Sequence, residues 1–246
     1  SLTNNTHYFG FDLGYDKTSL AANDGSAIGS YATASYNGNI AGTVWKSKGD
    51  NEIRKYDFAY DAVNRLTKAD FTQYTGGFNK TAGLDFSVSN ISYDANGNIL
   101  SQMQRAWKLG GSIDMDRLRY NYQPQTNKLI AVVDTANDNS SRLGDFKYDP
   151  VSKTTQDYAY DANGNLPSDA NKKLSSILYN HLNLPSRVRV NGKGVVRYIY
   201  DASGNKLKKI TTDSTGASVV IKSTTYIGGG GTVYESVEQT ALPGGD

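Results

Sequence analysis

The chemistry open to this chain is narrowed first by the side chains it lacks. Of its 246 residues none is cysteine and two are histidine, His7 and His181. Thiolate nucleophiles, disulfides and cysteine-based zinc sites are excluded together, and so is a three-histidine metal site. What remains is oxygen chemistry. A glycosidase would need two carboxylates facing each other across a cleft, one held protonated. The only glutamates are Glu52, Glu235 and Glu238, and the aspartates stand mostly in turn contexts, where they accept backbone N–H groups. A Ser-His-Asp arrangement lacks the G-x-S-x-G elbow that would present its serine. Asp94-Ala95-Asn96-Gly97-Asn98 spaces oxygens as the start of a calcium loop does, but the positions that need Gly and a carboxylate hold Ile99 and Arg105. These residues read as no catalytic group, no cofactor, no metal ligand and no enzyme.

Binding chemistry is left. Lys and Arg number 26 against 24 Asp and Glu, a net charge of +2 with both signs interleaved, so there is no electrostatic footprint for nucleic acid. No apolar run approaches a membrane span. Aromatic faces stack on pyranose rings, and Trp45 and Trp107 are the candidates for glycan contact. Asp134-Thr135-Ala136 and Asp213-Ser214-Thr215 resemble a short O-glycosylation acceptor motif of some exported bacterial proteins.

The elements that would position such residues announce themselves by repetition. Tyr60-Asp61-Ala62-Val63-Asn64-Arg65-Leu66, Tyr93-Asp94-Ala95-Asn96-Gly97-Asn98-Ile99, Tyr160-Asp161-Ala162-Asn163-Gly164-Asn165-Leu166 and Tyr200-Asp201-Ala202-Ser203-Gly204-Asn205-Lys206 are near-copies of one phrase. Weaker versions begin at Tyr36, Tyr122, Tyr148, Tyr179 and Tyr226. Upstream of the turns apolar residues keep one parity, as in Tyr56-Phe58-Tyr60 and Val196-Tyr198-Tyr200, which means strands with one apolar face. Asp94 suits the first position of a type I turn and Gly97 the left-handed residue that closes a hairpin through a bulge. Tyr93 is then expected opposite Ile99, Tyr60 opposite Leu66 with Asn64 in the left-handed site, and Tyr160 opposite Leu166. At the fourth copy Lys206 takes the aliphatic place, so a register shift or a Lys stem along the Tyr ring is expected. Segments 19–28 and 168–178 are left open between a helical turn and a loop.

A phrase Y-D-x-x-G-N-x-L repeated about every twenty residues resembles the YD repeats of bacterial Rhs proteins, of insecticidal toxin-complex shell components and of the teneurin ectodomain. Tyr179-Asn180-His181-Leu182-Asn183-Leu184-Pro185 is similar to the family's Y-N-x-x-N-L-P variant. The stretch from Tyr198 to Leu207, with Tyr226-Ile227-Gly228-Gly229 and Val233-Tyr234-Glu235, resembles the close of an Rhs core. The resemblance implies antiparallel hairpins spiralling into a hollow shell that in many members encloses a toxin domain. The D-P-x-G signature of the family's self-cleaving plug is missing. Asp149-Pro150-Val151-Ser152 begins similarly without the Gly, so no cleavage residue is carried over.

The expectation is therefore all-β: repeated antiparallel hairpins in an open or partial β-shell. Residues 1–30 form a lead-in segment, 31–235 the repeat domain and 236–246 a flexible tail. The structural residues are Tyr60, Tyr93, Tyr160 and Tyr200 for packing, Asp61, Asp94, Asp161 and Asp201 for turn closure, and Gly97, Gly164 and Gly204 for the left-handed position. Nine or so hairpins are too few for a closed shell, and bare strand edges need cover. The expected partner is the remainder of a larger Rhs chain or another protein over those edges, with a toxin as cargo. The expected role is a non-enzymatic scaffold of an exported, extracellular or cell-surface protein, and the alternative is an adhesin or glycan-binding module.

Overall fold

Every regular element of the computed structural model is a β-strand, over the described residues 7–21, 25–137, 144–147, 155–227 and 232–241. In chain order these are β1 (Phe9–Gly14), β2 (Ser19–Ala21), β3 (Ala27–Ser30), β4 (Gly42–Ser47), β5 (Ile53–Tyr60), β6 (Leu66–Tyr74), β7 (Phe78–Asn79), β8 (Val88–Tyr93) and β9 (Ile99–Lys108). They continue with β10 (Gly111–Tyr122), β11 (Leu129–Asp134), β12 (Leu174–Tyr179), β13 (Pro185–Val190), β14 (Gly194–Tyr200), β15 (Lys206–Asp213), β16 (Ser218–Ile227) and β17 (Thr232–Ala241). One sheet has the order β1-β4-β5-β6-β8-β9-β10-β11, with β7 on β6; a second runs β12 to β17 in sequence order; β2 and β3 form a separate ribbon. Neither large sheet closes into a barrel, as expected for an open β-shell.

The chain groups into two compact units. The first holds the residues through Asn121, Gln125–Asn127 and the stretch beginning at Val132, and the second holds Tyr122–Pro124, Lys128–Ala131 and the described residues from Thr155 onward. The repeat region 31–235 is thus divided between them. The lead-in segment contributes β1, paired antiparallel with β4 from Phe9↔Ser47 to Gly14↔Gly42. Residues 236–241, expected in a flexible tail, are strand: β17 pairs with β16 from Thr232↔Ile227 to Ala241↔Ser218, because Val233, Tyr234 and Val237 are of the β-branched and aromatic types that strands favour. Segment 19–28 holds β2 and the start of β3. The Tyr148 version, Asp149 to Ser152, Gly228 to Gly231 and 242–246 lie outside the described residues.

Turn chemistry sets the hairpins. Gly97, Gly164 and Gly204 have φ of 87°, 84° and 85°, and Asn64 and Asn183 occupy the equivalent position at 67° and 57°. A Cβ at Gly97 would meet nothing within 4 Å, so glycine serves there through its backbone freedom alone. Tyr60 pairs with Leu66, Tyr93 with Ile99, Tyr179 with Pro185 and Tyr200 with Lys206, each beside a register shift. One extra residue per hairpin, Thr67, Leu100, Ser186 or Leu207, is the bulge, and it reverses face parity beyond it. The Tyr160 turn differs. Tyr158 makes only an isolated bridge to Asp169, because the amides of Asp157 and Tyr158 both donate to the Ile130 carbonyl, at 2.7 and 3.2 Å.

Burial is thin. Leu20, Tyr31 and Val44 form a small core with Ile28, Ile53 and Phe78 against it. The Tyr31 ring lies on the facing pair Gly14 and Gly42, where a Cβ on either would collide with it. Among the described residues of β12 to β17 only Ile177 and Thr224 are buried.

Candidate functional site

The repeat phrase builds the same device at each turn. Asp94 Oδ1 accepts the amides of Asn96 and Asn98 at 2.9 and 2.8 Å, while Oδ2 accepts Asn98 Nδ2 at 2.8 Å. Asp161 does the same with Asn163 and Asn165, and Asp201 with Ser203 and Asn205. At Asp61 the second oxygen takes Arg65 Nε at 2.6 Å instead. The side-chain amides of Asn98, Asn165 and Asn205 hold the first three carboxyls below their usual range, and the Arg65 amide does most for Asp61. All four stay ionised at neutral pH as acceptors of amides within their own turns.

The tyrosines reach further than their hairpins. Tyr60 Oη donates to the Ile40 carbonyl at 2.9 Å, Tyr93 to Leu66 at 2.6 Å, Tyr160 to Leu129 at 2.9 Å, Tyr179 to Leu166 at 2.9 Å and Tyr200 to Pro185 at 3.0 Å. In every case the acceptor is the apolar residue that follows an earlier turn of the phrase. The phrase therefore encodes a stitch between repeats as well as a packing pair within one. Burial pushes the Tyr60, Tyr160 and Tyr200 phenols up, so they remain donors at any physiological pH.

Asparagines join neighbouring turns a second time. Asn37 and Asn39 Nδ2 both donate to Asn64 Oδ1, at 2.6 and 3.0 Å. Asn96 and Asn98 share Asn127 Oδ1, and Asn163 and Asn165 share Asn183 Oδ1, all at 2.9 to 3.1 Å. Asn64 and Asn183 are the turns where Asn replaces Gly in the left-handed site. The replacement supplies an acceptor that glycine lacks.

The two tryptophans stand apart, on β4 and β9, with β5, β6 and β8 between them. Trp45 is half-buried and stacked on Tyr56 at 5.4 Å, with Phe71 beyond at 6.2 Å. Trp107 is 41% exposed and paired with Ser112. His7 and His181 are both exposed.

One cluster joins residues far apart in the first unit. Asp116 on β10, Asp134 at the end of β11 and Asp145 are all buried, and one carboxylate oxygen from each lies within 4.8 Å of the other two. Asp116 Oδ1 accepts the Phe146 amide at 2.8 Å. Asp134 Oδ1 accepts the amides of Arg117 and Ala136, at 2.8 and 2.9 Å. Lys147 Nζ lies 3.1 Å from Asp145 Oδ2. Burial, then the neighbouring carboxylates of Asp134 and Asp145, push the Asp116 carboxyl up despite its amide bond.

No family model matches the chain, and no curated protein does. Solved structures do. A chain of the crystal structure of TcdB2-TccC3-Cdc42 is similar over 94% of this protein at 13% identity and a TM-score of 0.47. A chain of the crystal structure of TcdB2-TccC3-TEV is similar over 87% at 10% identity and a TM-score of 0.38. This protein spans about one seventh of the first of those chains, 14%, and 12% of the second. Likenesses this distant carry no functional assignment.

Sequence reasoning placed the turn residues and passed over the acidic cluster. The reason is the register shift between Asp114 and Asp116 in the pairing of β10 with β9. It leaves Met115 and Asp116, neighbours that a regular strand would send to opposite faces, both buried. No periodicity reveals such a pair. The one available signal was Asp134, which heads the Asp-Thr-Ala stretch.

Proposed function

We propose that this chain is a non-enzymatic structural module of an exported YD-repeat protein, a length of β-shell wall that encloses or displays another polypeptide. The observation that carries the reading is the stitch. Five tyrosine hydroxyls, each spent on the carbonyl after an earlier turn, tie repeat to repeat and leave the repeat residues no reactive role. The near-absence of buried side chains in β12 to β17 supports a wall that acquires its cover from a longer chain or its cargo.

Hydrogen exchange compares the isolated chain with the native protein recovered from its source by an antibody to it. The expected result is an exported polypeptide longer than 246 residues, with β12–β17 amides protected far beyond their level in the isolated chain. A cytoplasmic antigen, or equal exchange in both samples, would overturn the reading. Glycan-array binding abolished by Trp45→Ala or Trp107→Ala would replace it with the adhesin.

A further inference from the structure

We infer that Asp116, Asp134 and Asp145 form a calcium site, in which a hard divalent cation binds the carboxylate oxygens that these three buried side chains turn toward one another. The acidic cluster alone would not carry this. What does is Asp134, which is 2% exposed and whose Oδ2 is fully buried with no hydrogen-bond partner. Its Oδ1 is already engaged by two backbone amides, so the carboxyl is fixed in place with one oxygen left over. Burying an unpartnered carboxylate oxygen is strongly unfavourable unless a cation meets it. The groups beside it in the cluster are two more carboxyls, Asp116 and Asp145, which as anions repel it.

The donor set selects the class of ion. It is all oxygen and all carboxylate, without nitrogen or sulfur, and this suits hard cations over zinc or copper. At Ca–O distances of about 2.3–2.6 Å, two ligands of one ion stand at most about 4.6–5.2 Å apart. Oxygens within 4.8 Å of one another are inside the reach of one calcium shell. The ligands also arrive already placed. Asp116 is held by the Phe146 amide and turned inward by the β10 bulge, Asp134 by the Arg117 and Ala136 amides, and Asp145 by Lys147. Lys147, half-exposed on its own side chain, offsets part of the charge and leaves Asp134 Oδ2 unmet. This calcium site is unrelated to the Asp94 turn, whose carboxylate is half-buried and satisfied within its own loop.

The test uses the full chain, stripped of metal with EGTA and desalted, titrated with CaCl2 and separately with MgCl2 in a calorimeter and followed by thermal melting. One saturable calcium event is expected, together with a thermal midpoint that rises on calcium and returns on EGTA. Asp134→Asn keeps an oxygen for the two amides and removes the charge, so it should weaken calcium binding about tenfold or more while leaving the metal-free melt close to that of wild type. Asp116→Asn should weaken it likewise. If either variant fails to fold, the calcium response of the wild-type midpoint decides. Absence of any calcium heat or midpoint shift at millimolar calcium overturns the proposal, as does binding that survives Asp134→Asn unchanged. A metal-insensitive wild type whose midpoint rises in Asp116→Asn would also overturn it, since the cluster would then be relieved by loss of a carboxylate and not by a cation.

Discussion

Replacing Tyr93 with phenylalanine removes a single O–H and leaves the ring, on which the Arg65 guanidinium lies 4.5 Å from the centroid. What is lost is the 2.6 Å bond to the Leu66 carbonyl. A neutral hydrogen bond contributes a net ~0.5–1.5 kcal/mol, and a buried acceptor stripped of its partner costs more. Leu66 is half-exposed, so water can take over part of the acceptor's need, and the expected loss is about 1 kcal/mol. In a protein of this size that is a fall of about 2–4 °C in thermal midpoint. Differential scanning calorimetry reads it directly, with urea titration to confirm that the slope, and hence the surface exposed on unfolding, is unchanged. The control is Tyr36→Phe. Tyr36 begins the first version of the phrase, but its side chain is 86% exposed, and its loss should stay within about 0.5 kcal/mol. Tyr200→Phe repeats the experiment in the second unit, at the Pro185 carbonyl. If Tyr93→Phe and Tyr200→Phe melt like Tyr36→Phe, the hydroxyls are ornaments and the stitch is not what holds the repeats together.

Two further outcomes are expected. Gly97→Val should lose about 1–3 kcal/mol through backbone strain at positive φ, while Gly97→Asn should lose clearly less, since Asn64 and Asn183 already live there; equal losses in denaturant titrations would refute the turn assignment. Acid should destabilise the chain through Asp94, Asp161 and Asp201, whose folded pKa values lie below their unfolded ones: their contribution is full above the unfolded value of about 3.9 and is lost as pH falls through the folded values. The thermal midpoint should drop as pH falls below about 4, and the triple Asp→Asn variant should show a shallower drop; an identical acid profile would contradict it.

The strands were legible because period two survives in the upstream halves of the hairpins, and the turn residues because Asp and Gly act locally, on amides two to four residues away. Lys206 shows where locality fails. It pairs with Tyr200 in the same register as its aliphatic counterparts, but its ammonium lies over the rings of Tyr198 on β14 and Tyr226 on β16, at 4.7 and 5.8 Å, so one of the two rings it covers lies outside its own hairpin. The acceptor of each tyrosine hydroxyl was hidden for a similar reason. It is a main-chain carbonyl in another repeat, and a carbonyl leaves no mark on residue type. Asn64 and Asn183 could be read as tolerating the left-handed region, but their role as shared acceptors appears only once the turns stand side by side. Asp116 was hidden by a bulge, which breaks the parity that sequence reading relies on.

The stitches have a direction. In each of the five the hydroxyl comes later in the chain than the carbonyl it grips, by 20, 27, 31, 13 and 15 residues. Each of these tyrosines therefore closes an earlier turn, so cutting the chain back from its C-terminal side leaves a carbonyl unmet, and cutting it from the N-terminal side leaves a hydroxyl unmet.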